Sequence, residues 1–61
     1  MDFADTVEFI EARYNEIGLI RGIEDSWLAH DADTGDYLGV ITQEGLEHLR
    51  SVGITTYGRS A

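Results

Sequence analysis

Sixty-one residues allow one small domain, spanning 1–61. Twelve acidic side chains face four basic ones, all arginine, for a formal net charge of -8; DNA, RNA and anionic membranes should repel such a chain, because binding a polyanion relies on Lys and Arg neutralising phosphates. Cysteine is absent, which excludes disulfides, zinc–thiolate sites and thiol chemistry, and a hydrophobic fraction of 43% is too high for a disordered acidic tail.

Residues 3 to 17 read as an amphipathic helix. Phe3, Val7, Ile10, Tyr14 and Ile17 recur at a 4-3-4-3 spacing and share one stripe, with Asp2, Asp5, Glu8 and Glu11 off it. Asp2 is placed to cap the N-terminus, and Gly18 sits where a left-handed C-terminal cap is wanted. Phe9 falls beside the stripe. Leu19 to Ile23 reads as a short strand. Ser26 to His30 and Tyr37 to Ile41 read as a hairpin around Asp31-Ala32-Asp33-Thr34-Gly35-Asp36. Gly35 suits a positive φ at the tip. Gly39, inside the second arm, suggests a bulge or a close backbone approach. A second helix follows, with Thr42 as N-cap, Glu44 in its first turn, Leu46, Leu49 and Val52 on one face, and Gly53 as its stop. Ile54 to Tyr57 has strong strand propensity, and Gly58 to Ala61 is expected to fray. The expected architecture is α+β: a small antiparallel sheet of three to four strands with two helices packed on one face, in the order α-β-β-β-α-β.

A core of this size rarely yields more than about 3–5 kcal/mol of net stability, so self-association, a partner or a bound cation would help. The longest apolar runs fall well short of the ~18 residues of a membrane span, and the first residues lack the features of a signal peptide. A cytoplasmic location is expected, which is the host cytoplasm if the chain is phage-encoded.

Catalytic chemistry finds little support. Asp31, Asp33 and Asp36 alternate as calcium ligands do, but glycine is fifth rather than sixth in the loop and Thr42 stands where a bidentate glutamate is needed. His30 and His48 have acidic sequence neighbours that point elsewhere on a strand or helix. The glycines make no phosphate-binding loop. No catalytic, cofactor-binding or metal residues are therefore expected.

The acidity itself is the strongest functional cue. Glu24 and Asp25, with Asp31, Asp33 and Asp36, come from connected segments of one hairpin, within a span of ~15–20 Å by strand geometry. Either Trp27 or Leu28 must lie on the outer sheet face, since neighbours on a strand face opposite ways. The expected function is that of a small acidic inhibitor that occludes a basic, nucleic-acid-binding surface of a larger protein or nucleoprotein. Glu24, Asp25, Asp31, Asp33 and Asp36 would be its charged contacts, and Trp27 or Tyr37 its apolar anchor. Phage-encoded nucleic-acid mimics, including some anti-CRISPR and anti-restriction proteins, act in this manner; the analogy is one of size and charge alone. The alternative is a homodimeric accessory domain with a solvating acidic coat, adapted to high salt.

Overall fold

The computed structural model describes the backbone of residues 3–59 and the side chains of residues 4–58. The element order is α1 (Phe3–Arg13), β1 (Glu16–Arg21), β2 (Ser26–Asp31), β3 (Tyr37–Thr42), α2 (Gln43–Ser51) and β4 (Thr55–Arg59). The α-β-β-β-α-β order matches the sequence expectation. The first helix stops four residues early. Tyr14 N–H still bonds the Ile10 carbonyl at 2.9 Å, but the carbonyl of Asn15 accepts Thr55 N–H at 3.0 Å and belongs to the sheet. Ile17 continues the helical spacing numerically, yet it alternates with Leu19 in β1, and both are buried. Gly18 is therefore a strand residue and caps nothing. The proposed Asp2 cap lies outside the described residues, as does the side chain of Phe3.

The sheet runs β3-β2-β1-β4. The three consecutive strands pair antiparallel, as expected of hairpins. The fourth adds beside β1 in parallel. The reason is the intervening helix: α2 carries the chain back, so β4 starts from the same end as β3 and runs in the direction of β1. Strand β4 also takes in Gly58 and Arg59, which pair with Leu19 and Ile20 in place of the expected fraying.

Both helices cover one face. Ile10 from α1 and Leu46 and Leu49 from α2 meet Ile17, Leu19, Ala29 and Ile41 from the sheet, with Ile54 closing the end. Two glycines let the layers approach. A Cβ on Gly39 would lie 2.7 Å from Thr6 Cγ2, and Gly39 sits at a bulge with φ +148°, so α1 rests directly on the backbone of β3. A Cβ on Gly45 would meet Val7 Cγ2 at 2.8 Å, which explains a helix-weakening residue in the first turn of α2. Thr42 caps α2 as expected, its Oγ1 accepting Gly45 N–H at 3.1 Å. Gly53 takes the left-handed conformation, φ +92°, after the helix. Val52 does not join Leu46 and Leu49 inside; it is exposed at the helix end. Among the described residues, no helix is long and apolar enough to cross a membrane.

Candidate functional site: the open face of the sheet

Alternation along the strands sends every second residue to the side away from the helices. On that open side, Ile20, Leu28 and Val40 are in register across β1, β2 and β3. The next row is Tyr57, Gly18, His30 and Tyr37 across all four strands. No element packs over these rows among the described residues. Ile20, Tyr37 and Tyr57 are 44%, 60% and 55% exposed, values that hydrophobic and aromatic side chains on a covered sheet face do not reach. A groove runs between the rows and the hairpin end, lined by Glu16, Gly18, Ile20, His30, Asp31 and Tyr57.

The polar groups of this face are few and oriented. Tyr57 donates its hydroxyl to Glu16 Oε2 at 3.3 Å. The Glu16 charge, then this hydrogen bond, raise the Tyr57 pKa, so the phenol stays a neutral donor. His30 Nδ1 is 3.1 Å from the Leu28 carbonyl, which can only accept, so Nδ1 carries the proton. The His30 ring meets Tyr37 edge-on at 5.7 Å between centroids.

The sequence-derived contact residues divide. Tyr37 lies exposed on the open face, as an anchor requires. Trp27 does not. It faces the helix layer, packs against the core and donates Nε1–H to Gln43 Oε1 at 2.9 Å, while the Arg21 guanidinium lies 5.1 Å from its ring centroid. Leu28 takes the outward place. The five acids form two groups, separated within the expected span. Glu24 and Asp25 occupy the β1–β2 turn, whereas Asp31, Asp33 and Asp36 occupy the β2–β3 turn, a strand length of roughly 17 Å away.

Asp31 is tied into its own turn. Its Oδ1 accepts the N–H groups of Asp33 at 2.8 Å and Thr34 at 3.0 Å. Those two bonds, Thr34 first, hold its pKa below the ordinary value. Gly35, at φ +80°, completes the turn by donating to the Asp31 carbonyl. Asp33 and Asp36 remain exposed. Arg21 makes a loose ion pair with Asp25 at 3.9 Å, and Arg50 bonds Thr56 Oγ1 rather than an acid. Among the described residues, no three of His, Asp and Glu are grouped to hold a metal ion.

Sequence reasoning missed Glu16, Ile20, His30 and Tyr57 as members of one surface. Glu16 is hidden by a helical spacing that runs on through Ile17, and Ile20, although read as a strand residue, has no assigned face until its strand partners are known. Tyr57 was not placed because nothing local says that β4 pairs with β1. The helix layer carries most of the remaining acids: Asp5, Glu8, Glu11, Glu44 and Glu47 are all exposed there, with His48 Nε2 at 3.2 Å from Glu11 Oε1. No protein-family model matches this chain, and no curated protein or solved structure matches it either.

Proposed function

We propose that this chain is a non-catalytic binding module, which docks its open sheet face, flanked by Glu16, Asp33 and Asp36, onto a basic surface of a larger protein. The observation that carries this reading is an uncovered row of apolar and aromatic side chains on a molecule of net charge -8. Ile20, Leu28, Val40 and Tyr37 supply the desolvated centre that interfaces need, and aromatic residues are enriched at such centres. The carboxylates supply steering toward a positive partner.

Charge selects the class of partner. Nucleic acid and anionic lipid are repelled. A second copy of the chain brings the same -8 to the contact, so self-pairing works against the field. A groove lined by Arg and Lys that ordinarily holds phosphates is attracted, and its occupation blocks it without turnover. The reading is therefore that of an inhibitor of a nucleic-acid-handling protein, working in the cytoplasm.

The test is affinity capture from a lysate of the source or host cell with tagged wild type and two variants. Leu28→Lys, on the open face, should lose the captured protein. The Glu8→Lys, Glu11→Lys double variant, on the helix layer, should retain it, provided circular dichroism shows both folded. Equal loss in both would overturn the localised face. A particle that sediments as a dimer at micromolar concentration would instead assign the face to a second copy.

A further inference from the structure

The open face has one missing side chain. Tyr57, Gly18, His30 and Tyr37 are direct neighbours across the sheet, so an otherwise aromatic row is broken at its second member. Glycine in a central strand loses entropy and packs nothing. Gly39 and Gly45 have internal reasons, since Thr6 and Val7 fill the space over them. Gly18 has none. Its φ is not positive, and a Cβ there would meet only His30, its carbonyl oxygen at 3.8 Å and its Cβ at 4.0 Å, both ordinary contacts. The Tyr57 ring does not lie over it within 4 Å. A strand glycine with free space above it fits the close approach of an external group.

The space is a slot bounded in its row by Tyr57 on one side and His30 on the other. Strands β4 and β2 flank β1, so the backbones bearing Tyr57 and His30 are about 9.6 Å apart, two inter-strand spacings. A planar group seated on Gly18 would lie over β1, roughly 4.8 Å from the backbone of each flanking strand and between the positions of Tyr57 and His30. Hydrogen-bonding groups line its margin. Glu16 spends Oε2 on the Tyr57 hydroxyl and keeps Oε1. With Nδ1 directed at the Leu28 carbonyl, Nε2 is the His30 ring nitrogen left for a further hydrogen bond.

We propose that the slot over Gly18 receives an arginine side chain of the partner, its guanidinium flat between Tyr57 and His30 and its N–H donors directed to Glu16. The inference rests on the docking reading above and names the residue type that reading requires. Charge complementarity selects a cation, since the chain carries -8. Slot geometry selects arginine over lysine, because guanidinium is planar, weakly hydrated and stacks on aromatic faces.

The experiment is an amide-resolved NMR titration of the full chain with hexa-arginine and with hexa-lysine peptides, using wild type, Gly18→Val and Glu16→Gln. Hexa-arginine should shift Gly18, His30 and Tyr57 and bind more tightly than hexa-lysine. Gly18→Val should weaken it at least ~tenfold, the size of one desolvated cation–π contact, and leave the melting temperature equal or higher because valine suits a strand. Glu16→Gln should weaken it less. If hexa-arginine shifts the open face but Gly18→Val binds as tightly, the slot is wrong and the docking face stands. Equal affinity for the two peptides would also sink the slot, since charge alone would then explain binding. Shifts confined to the helix layer, around Glu8 and Glu44, would overturn the docking face and the slot together.

Discussion

One sheet presents two unlike surfaces. On the covered side, Ile17, Leu19, Ala29 and Ile41 are each no more than 1% exposed. On the other side, one residue away along the same strands, Ile20, Leu28, Val40, Tyr37 and Tyr57 are left half-buried or open. The covered side uses small contacts to gain closeness, as where Thr6 sits on Gly39. The open side uses large side chains and leaves a gap at Gly18. A 61-residue domain with a marginal core cannot easily spare that much apolar surface. On the docking proposal, its retention on one side only marks that side as a surface for contact, the covered side serving stability. The acids divide as well: the helices carry a dispersed anionic coat, Glu24 and Asp25 lie at one end of the sheet, and Glu16, Asp33 and Asp36 lie at the other, nearer the row of Tyr57, Gly18, His30 and Tyr37.

The sharpest way to break this contrast is a matched pair on β1. Ile17→Ala should cost about 3–4 kcal/mol, as full burial implies, and leave little folded protein at 25 °C. Ile20→Ala, three residues along and on the open face, should cost roughly 1 kcal/mol. Urea titration measures both, and similar losses would mean that the two faces are equally part of the core. Next in size is Gly39→Ala. Its Cβ would collide with Thr6 and its φ is unfavourable for any other residue, so a loss of about 2–3 kcal/mol is expected. The same change at Gly18 should be neutral or stabilising, and a reversed ranking would refute the account of the two glycines.

A smaller effect belongs to the β1–β2 turn, which serves neither face. Glu24 is a non-glycine residue at φ 57°. Glu24→Gly should stabilise by about 0.5–1 kcal/mol in chemical denaturation. If Glu24 contacts the partner, capture would fall despite the gain in stability. The smallest effect concerns acid. Asp31 has a lowered pKa in the folded state, so its contribution is present above its ordinary value near 3.8 and fades as pH falls through the lower folded value. Wild type should therefore lose stability on acidification through that window, and Asp31→Asn should flatten the profile there. A profile unchanged by the substitution would remove the carboxylate from the turn's energetics.

Much of the fold is legible in the residues. Thr42 and Gly53 bracket α2 because a hydroxyl and a flexible backbone are the local solutions to a helix's unpaired ends. The β2–β3 hairpin is readable from its Asp- and Gly-rich turn. Gly39 announces both the bulge and the close approach that it makes. The site was less legible. The sequence leaves Trp27 or Leu28 open as the outward residue, because a lone strand does not say which of its two sides meets a helix; in the fold Leu28 faces out, Trp27 faces the helices, and Tyr37 is exposed. The acids at both hairpin ends look adjacent in sequence and are separated by the length of β2.

The amino-acid order by itself settles the negative charge, the absence of thiol chemistry, the element sequence and the caps and turns, since each depends on composition or on residues within one or two turns of chain. Which face of the sheet the helices cover, that β4 lies parallel against β1, and that Glu16, Tyr57, Gly18 and His30 share one surface were decided only in three dimensions. Those features are pairings between segments up to 41 residues apart, and they are fixed by burying one apolar face jointly rather than by any local preference.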